Sequence, residues 1–221
     1  MSKRAKKQYV VIGLGRFGRS VAKSLEANGC SVLAIDEDEK KVNLVSEYVT
    51  SAMCLDISNE DAANELGLGN FDGAVISKVN SLEKAVLATI CVKEKGVKQV
   101  VVEAYDDTQA KVLKKLGAVK IVFPEREMGK HLANNLSFDN FVDTVELSNG
   151  YSVVEIHVPH AWVGKNLIEL KLRTKYEVNV IAIKHNNNTD VTLAADKPLL
   201  EGDILVMLGE NEVLKKLSKA V

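Results

Sequence analysis

The fold of this chain is decided by the stretch Val10-Val11-Ile12-Gly13-Leu14-Gly15-Arg16-Phe17-Gly18. A short apolar run is followed there by three glycines in a G-x-G-x-x-G pattern. The first glycine permits a tight turn, the second lets a pyrophosphate approach the backbone, and the third allows a helix to pack closely on a strand. The stretch therefore predicts a strand from Gln8 to Ile12, a phosphate-binding turn, and a helix from Phe17 to Asn28.

A G-x-G-x-x-G pattern alone is a weak indicator of nucleotide binding, and Asp36 strengthens it. Asp36 follows the next predicted strand, Ser31 to Ile35, about twenty residues after the turn, where a carboxylate can accept hydrogen bonds from ribose hydroxyls. The start of the intervening helix offers N–H groups and a partial positive charge to phosphates. These features predict an adenine nucleotide and leave ATP, ADP, AMP and NAD or NADH open. The carboxylate of Asp36 would repel a 2′-phosphate, which disfavours NADP.

Apolar runs typical of buried strands alternate with helical segments through the rest of the first half of the chain. Further strands are predicted at 52–54, 73–76, 99–102 and 121–123, and further helices at 39–48, 59–66, 81–95 and 107–116. This alternation is typical of the α/β class. It predicts a Rossmann-like doubly wound parallel sheet with helices on both faces.

The pattern changes after Pro124. A predicted crossover helix at 125–136 has no strand after it that could return to the same sheet. Alternating residues at 142–147 and 152–158 flank Asn149-Gly150, which predicts a β-hairpin. A helix at 167–173, strands at 178–184 and 203–208, and a helix at 211–219 then complete a small α+β lobe. We therefore predict an N-terminal domain at 1–138, which includes the crossover helix, and a C-terminal domain at 139–221.

The crossover helix also carries Met128, Leu132 and Leu136 at helical spacing. Because this helix leaves its own sheet, a second subunit is the natural place to bury these side chains. The sequence therefore predicts a homodimer.

Composition and charge narrow the class of protein. Lysine and arginine total 29 and aspartate and glutamate 30, a formal net charge of -1, so nothing indicates a nucleic-acid partner. Three cysteines, Cys30, Cys54 and Cys91, lack C-x-x-C spacing, which indicates buried thiols in a reducing compartment. No apolar run approaches the roughly 20 residues that span a bilayer. We expect a cytoplasmic protein that reaches the membrane only through a partner.

Several longer strings make the chain resemble one family. Besides residues 10–18, they are Asn70-Phe71-Asp72, Lys114-Lys115-Leu116-Gly117-Ala118, Phe123-Pro124-Glu125-Arg126-Glu127-Met128-Gly129, Asn166-Leu167-Ile168-Glu169-Leu170, Arg173-Thr174-Lys175-Tyr176 and Ile181-Ala182-Ile183-Lys184. Over essentially its whole length the chain resembles the RCK (regulator of potassium conductance) subunits of Ktr and Trk potassium uptake systems, with their TrkA-N and TrkA-C domains.

The resemblance implies a nucleotide-binding regulatory subunit that is not an enzyme and has no catalytic residues. Such a subunit controls potassium transport through a separate, potassium-translocating membrane subunit. The resemblance also implies homodimers that assemble into a cytosolic gating ring, commonly an octamer, at the inner face of the cell membrane.

The same resemblance implies site residues. The nucleotide site would consist of Gly13, Gly15, Arg16, Phe17, Gly18, Asp36, Asp56, Ile57 and Ser77. Glu125 would reach a Mg²⁺ or Ca²⁺ ion bound to the nucleotide phosphates. A second ligand site in the C-terminal domain would include Leu170, Arg173 and Ile183, and cyclic di-AMP is a candidate for it.

Three positions bear on the choice of ligand. Arg16 occupies a variable position inside the turn, where a guanidinium suits a terminal phosphate, so we expect it to distinguish ATP from ADP. Glu103 stands where the family often has Lys or Arg, and this carboxylate could repel phosphates or pair with Arg16. Leu193-Ala194-Ala195 lacks a proline found in some Ktr subunits that bind cyclic di-AMP.

Two other functions share a Rossmann-like domain. An NAD-dependent oxidoreductase needs an acid–base group and an orienting cation near the nicotinamide, and the C-terminal domain offers no obvious set of this kind. A redox-sensing NAD(H)-binding repressor needs a basic recognition helix, which the sequence lacks. These two are the alternatives to a regulatory subunit of potassium transport.

Overall fold

The computed structural model describes residues 6–57, 59, 65–77, 81–136, 141–147, 150–186 and 188–219. The chain divides into two compact units between Glu125 and Arg126. The predicted crossover helix spans this division, and a domain boundary near residue 138 stays a prediction.

The N-terminal unit contains the predicted six-stranded parallel sheet. Its strands are β1 (Gln8–Ile12), β2 (Ser31–Asp36), β3 (Ser51–Cys54), β4 (Gly73–Ile76), β5 (Gln99–Glu103) and β6 (Lys120–Val122). Their order is β3-β2-β1-β4-β5-β6, and all five pairings are parallel. The direction of winding reverses between β1 and β4. The carboxyl ends of these two strands therefore border the crevice where doubly wound proteins bind ligands.

Four described helices pack around this sheet: α1 (Arg16–Ala27), α2 (Glu39–Asn43), α3 (Leu82–Glu94) and α4 (Asp107–Lys115). Ser81 and Asp106 cap α3 and α4, because each side chain accepts a hydrogen bond from a backbone N–H of the first turn. Successive strand residues point to opposite faces, and both faces are covered: Ile12 belongs to one buried apolar cluster and Val11 to another. This double burial explains why the strands read as continuous apolar runs.

The segment 39–48 differs from the single helix predicted for it. Helix α2 ends at Asn43, and a 3₁₀ turn follows at Ser46–Tyr48. Val42 and Val45 are both buried, and the Val45 N–H donates to the Val42 carbonyl oxygen. The chain therefore tightens into i→i+3 hydrogen bonding after α2, as is common at the ends of α-helices. Most of the helix predicted at 59–66 lies outside the described residues.

Helix α5 (Pro124–Leu136) corresponds to the predicted crossover helix and leads into the C-terminal unit. That unit contains an antiparallel sheet of five strands: β7 (Phe141–Glu146), β8 (Tyr151–His157), β9 (Asn179–His185), β10 (Asn188–Asp190) and β11 (Ile204–Glu210). Their order is β10-β9-β11-β8-β7. The antiparallel pairing of β7 with β8 confirms the predicted hairpin partners, although Asn149 of the predicted turn lies outside the described residues.

Two elements of the C-terminal unit differ from the prediction. The helix predicted at 167–173 is two short helices, α6 (Leu167–Leu170) and α7 (Leu172–Tyr176), because Lys171 has a left-handed φ of 50° that ends the first helix. Strand β10 was not predicted, since its three residues are polar and exposed and show no apolar alternation. The last helix, α8 (Asn211–Lys219), has the predicted bounds and buries Leu214 and Leu217 in the core of the unit.

The structure also bears on two expectations from composition, the burial of the cysteines and the lack of a membrane-spanning segment. None of the three cysteines forms a disulfide, and none is fully buried as expected: Cys30 and Cys91 are half-buried, and Cys54 is exposed. Cys54 ends the edge strand β3, where most residues are exposed. Within the described ranges, no helix is both long and apolar enough to cross a bilayer.

Candidate nucleotide-binding site

The glycine turn joins the end of β1 to the start of α1. Gly13 has a φ of 87°, in the region that favours glycine, and its N–H donates to the Ile35 carbonyl oxygen at 2.8 Å. Gly15 is the N-cap of α1, and among the described residues no side chain caps the first N–H groups of this helix. The turn therefore presents backbone donors and the positive end of a helix dipole to the crevice.

Gly18 lies where α1 approaches both the turn and the end of β4. A Cβ atom added at Gly18 would be 2.0 Å from the Gly13 carbonyl oxygen and 3.0 Å from Ser77 Cβ. The first distance is far shorter than any van der Waals contact. The turn can keep its shape only while this position has no side chain.

The Asp36 carboxylate is buried and binds the turn directly. Its Oδ2 accepts a hydrogen bond from the Leu14 N–H at 2.7 Å, and its Oδ1 accepts one from the Asp38 N–H at 2.9 Å. Lys41 Nζ lies 3.3 Å from Oδ1 and 3.4 Å from Oδ2. Since a carboxylate offers about four lone-pair positions, a ribose hydroxyl can bond Asp36 by taking a position that Lys41 Nζ now occupies.

A pocket opens to solvent beside Asp36, and about 340 Å³ of empty space lies within it and its mouth. Of the predicted site residues, it brings together Gly13, Asp36, Asp56 and Ile57. The other five lie outside its lining, along the turn, at the start of α1 and just after β4: Gly15, Arg16, Phe17, Gly18 and Ser77. The predicted nucleotide site is therefore a pocket that continues into an open turn.

Ser77 and Glu103 form a pair at the carboxyl ends of β4 and β5. Ser77 is buried, and its N–H donates to the Ile12 carbonyl oxygen at 2.8 Å. Its hydroxyl donates to Glu103 Oε2 at 2.7 Å. The Glu103 carboxylate, which was expected near the phosphates, is thus hydrogen-bonded to Ser77 at the end of the neighbouring strand β4.

Two arginines on the first turns of α1 have different surroundings. Arg19 Nη1 donates to the Leu14 carbonyl oxygen at 2.9 Å and so braces the glycine turn. Arg16 is exposed, and its guanidinium makes no hydrogen bond or ion pair within the described part of the chain. The pairing of Arg16 with Glu103 that the sequence allowed is therefore absent among these residues.

Two lysines of this site, Lys41 and Lys84, were not predicted from the sequence. Lys84, in the first turn of α3, donates to Glu37 Oε2 and, at 3.1 Å, to Asp56 Oδ2. The hydrogen bond to Glu37, followed by that to Asp56, raises the pKa of Lys84 above its usual 10.5. The positions of the carboxylates in the sequence could have predicted part of this cluster. Glu37 and Asp56 each lie two residues after a predicted strand, and the carboxyl ends of these parallel strands meet at one edge of the sheet.

The remaining predicted site residues are more dispersed. Glu125 is exposed on the first turn of α5. Among the described residues, no group of three His, Cys, Asp or Glu side chains is arranged to hold a metal. In the C-terminal unit Leu170 and Ile183 line two different pockets, and Arg173 is exposed on α7.

Comparison with known families gives two matches that together cover most of the chain. Residues 9–124 match the TrkA-N domain, and residues 152–221 match the TrkA-C domain. The chain belongs to the RCK family of TrkA-N and TrkA-C domain proteins. The family resemblance seen in the sequence is thereby confirmed.

Curated relatives of this RCK protein match over nearly their full length. The chain is 38% identical over 216 residues to Ktr system potassium uptake protein C of Bacillus subtilis, covering 98% of both chains. It is 35% identical over 210 residues to Ktr system potassium uptake protein A of the same organism, covering 95% of both. The match therefore extends through both units of the RCK protein.

Solved structures support the same fold at much lower identity. The RCK domain of GsuK superposes with a TM-score of 0.66 at 14% identity, covering 99% of this chain and 48% of that one. The GsuK channel bound to NAD gives a TM-score of 0.64 at 13% identity, covering 97% of this chain and 39% of that one. The RCK protein thus spans less than half the length of these structures, and the likeness concerns the fold.

Proposed function

We propose that this RCK protein is a cytoplasmic, nucleotide-binding regulatory subunit that controls potassium transport through a separate membrane protein. The observation that carries the proposal is the match over 98% of both chains with a protein named for potassium uptake by the Ktr system. The protein acts in this proposal by binding a ligand and not by catalysis. A regulatory ligand can act only if it binds two conformational states with different affinities.

The geometry supports an adenine nucleotide that lies across the carboxyl edge of the parallel sheet. We name the region of Asp36, Lys41, Asp56 and Lys84 the nucleoside end, and the region of Gly15 and Arg16 the phosphate end. The nucleoside end is the pocket, where the Asp36 carboxylate can accept ribose hydroxyls. The phosphate end offers the start of α1 and the guanidinium of Arg16. ATP and ADP use both ends, and the GsuK structure bound to NAD makes NAD a further candidate.

A divalent cation fits this proposal only together with the nucleotide. Mg²⁺ usually keeps several waters and binds one or two carboxylates together with substrate phosphates. The exposed carboxylate of Glu125 is a suitable single protein ligand of this kind, for Mg²⁺ or Ca²⁺. The nucleotide would supply the remaining negatively charged oxygens.

The assembly that we propose is a homodimer, which builds a ring such as an octamer. Met128, Leu132 and Leu136 recur every four residues along α5 and are 63%, 54% and 78% exposed. A stripe of large apolar side chains in water is unfavourable, and a second copy of α5 would bury it. Light scattering at micromolar concentration should therefore give at least the mass of a dimer. A monomer would contradict the role of α5, while a dimer alone would argue against the ring.

For the C-terminal unit we propose a second ligand site that contains Leu170, Arg173 and Ile183. The exposed guanidinium of Arg173 suits a phosphate, and cyclic di-AMP is the candidate ligand. Since Leu170 and Ile183 line different pockets of one chain, we expect residues of a second copy to complete this site.

A potassium-flux assay tests the regulatory function. The full chain is added to vesicles that contain the potassium-translocating subunit of a Ktr system, with ATP, ADP, AMP, NAD or no nucleotide. We expect the flux to depend on which nucleotide is bound, and only when the RCK protein is present. Gly15→Val, which blocks the approach of phosphates to the turn, should remove this dependence while the circular dichroism spectrum stays unchanged. Flux that ignores the nucleotide in both proteins would contradict the proposal.

A further inference from the structure

The nucleoside end contains an ion-pair cluster that joins three parts of the fold. Lys84 bridges Glu37, which follows β2, and Asp56, which follows β3. All three residues line the pocket together with Asp36. Lys84 is itself fixed, because its N–H donates to the Ser81 hydroxyl that caps α3. One side chain therefore ties both walls of the pocket to the start of a helix.

The rest of α3 makes this anchor rigid. Ala85, Ala88, Thr89 and Val92 are buried on the face of α3 that packs in the core. Lys84 is therefore carried by an element that cannot shift without disturbing that packing. The backbone position of Lys84 is thus set by the fold, and its side chain reaches both carboxylates from there.

Stabilisation of the fold does not explain this arrangement well. The side chains of Lys84, Glu37 and Asp56 are 30%, 34% and 43% exposed. Ion pairs with this much contact with water are screened and add little to the free energy of unfolding. Without Lys84, however, the carboxylates of Glu37 and Asp56 would face each other beside the Asp36–Lys41 ion pair, and their repulsion would act on the segments that follow β2 and β3.

We propose that Lys84 is a positioning residue for the nucleoside: by bridging Glu37 and Asp56 it holds the two walls of the adenosine pocket at the spacing that the base and ribose require. This inference rests on the proposed nucleotide binding and adds the residue that shapes the pocket. Lys84 acts through the two carboxylates and not on the phosphates. Its contribution is therefore the same for every ligand that contains adenosine.

The test is calorimetric titration of the full chain with adenosine, AMP, ADP and ATP. We expect Lys84→Met to weaken all four by a similar factor, on the order of tenfold, the equivalent of one hydrogen bond to a charged group. Lys84→Arg, which keeps a donor and the charge, should restore most of the affinity. Lys98→Met is the matched control. Lys98 is exposed just before β5, at the amino-terminal ends of the strands, whereas the pocket lies at their carboxyl ends. Lys98→Met removes the same charge and should leave all four affinities unchanged.

A double substitution tests the bridge itself. If Lys84 acts through Asp56, then Lys84→Met combined with Asp56→Asn should weaken adenosine no more than the stronger single variant does. All titrations are done at an ionic strength of about 0.15 M, where the Debye length is roughly 8 Å. Long-range attraction between Lys84 and the phosphates is then screened, and the effect of positioning remains.

Three results would overturn the inference. A loss that grows from adenosine to ATP would mean that Lys84 acts on the phosphates. A lower melting temperature of Lys84→Met with four unchanged affinities would mean that it only braces the fold. Additive losses in the double variant would remove the bridge. If the unsubstituted chain binds none of the four ligands, the proposed nucleotide binding itself is wrong.

Discussion

At the nucleoside end of the site the polar side chains already have partners, whereas at the phosphate end the main cation has none among the described residues. Asp36 accepts hydrogen bonds from two backbone N–H groups, and Lys84 bridges two carboxylates. Arg16, in contrast, makes no hydrogen bond or ion pair with any residue that the structure describes. The two ends of one site thus differ in how far they are organised before a ligand binds.

This difference suggests a division of labour. A preorganised end loses little entropy on binding and accepts one shape of ligand, here the adenosine that all candidate ligands share. An unpaired guanidinium on an exposed side chain can respond to the number of phosphates, since its hydrogen bonds form only when a phosphate reaches it. The nucleoside end would then give affinity, and the phosphate end would give the signal.

Gly18→Ala should have the largest effect on stability and on nucleotide binding, because it disrupts the turn that both ends of the site share. The added Cβ would be 2.0 Å from the Gly13 carbonyl oxygen, so the turn or α1 must move. We expect a loss of about 3 kcal/mol in the free energy of unfolding, as for severe overpacking, together with the loss of all nucleotide binding. Chemical denaturation and calorimetric titration measure the two effects.

Gly129→Ala is the matched control for this substitution. A Cβ added at Gly129, inside α5, meets no atom within 4 Å. Alanine should therefore raise the stability by about 0.5–1 kcal/mol through helix propensity and leave nucleotide binding alone. If Gly18→Ala were as harmless as this control, close packing at the turn would have no role.

Asp36→Ala removes the ribose acceptor of the nucleoside end, together with the acceptor of the Leu14 N–H in the turn. Because every candidate ligand presents the same ribose to this carboxylate, we expect ADP and NAD to weaken alike, by about 1.5–3 kcal/mol. Titration calorimetry of both ligands, at a temperature well below the unfolding of the variant, measures this loss. If only one of the two suffered, they would bind in different poses and the nucleoside end would not be common to them.

Arg16→Ala tests the phosphate end, where the effect should depend on the ligand. ATP should lose about 1.5–3 kcal/mol of binding free energy, as for a charged hydrogen-bond partner, ADP should lose less, and AMP almost nothing. Titration of the three nucleotides measures the gradient.

Arg19→Ala provides the comparison one turn along the same helix. Arg19 braces the Leu14 carbonyl oxygen, so its loss should weaken all three nucleotides equally, by about 1 kcal/mol. A uniform loss for Arg16→Ala as well would show that Arg16 only supports the turn, and the difference between the two ends would disappear.

The sequence predicted the N-terminal fold well because its signals are local and redundant. Continuous apolar runs, helix caps and glycines after helices all indicate the same parallel sheet, and the six strands form as predicted. The failures arise where tertiary packing or an isolated backbone angle decides. Helix α2 ends early where the chain tightens into a 3₁₀ turn, and the left-handed Lys171 divides a segment that was predicted as one helix. Neither the end of α2 nor the left-handed backbone at Lys171 can be predicted from the pattern of apolar residues.

The site was predicted less completely, for a related reason. Gly13 and Asp36 belong to the glycine motif and its acidic partner, Asp56 and Ile57 were implied by the family resemblance, and all four line one pocket. Lys84 lies 47 residues after Glu37 and 28 after Asp56, so only the order of the strands brings their side chains together. The partners of a motif residue depend on topology, and no local pattern encodes them.

Glu26→Gln should have the smallest effect, and it tests whether position at the pocket edge is what matters. Like Asp36, the Glu26 carboxylate accepts two backbone N–H groups, those of Val32 and Thr50, and it also accepts the Thr50 hydroxyl. It lies, however, near the amino ends of β2 and β3, at the edge of the sheet opposite the pocket. Its loss should therefore leave every nucleotide affinity unchanged.

The pH dependence of stability checks that the substitution acts as intended. Partial burial raises the pKa of Glu26, but the hydrogen bonds from Thr50 and Val32 outweigh this effect and hold it below its usual 4.5. A carboxylate whose pKa is lowered by folding stabilises the protein above its unfolded-state pKa, and this contribution is lost as the pH falls through the folded-state pKa. Glu26→Gln should thus cost at most about 1 kcal/mol at pH 7, because the group is partly solvated. The deficit should shrink below pH 4.5, which urea denaturation at pH 7 and pH 4 would show. If Glu26→Gln weakened adenosine as Asp36→Ala does, a carboxylate at either edge would serve equally, and the organised nucleoside end would lose its special role.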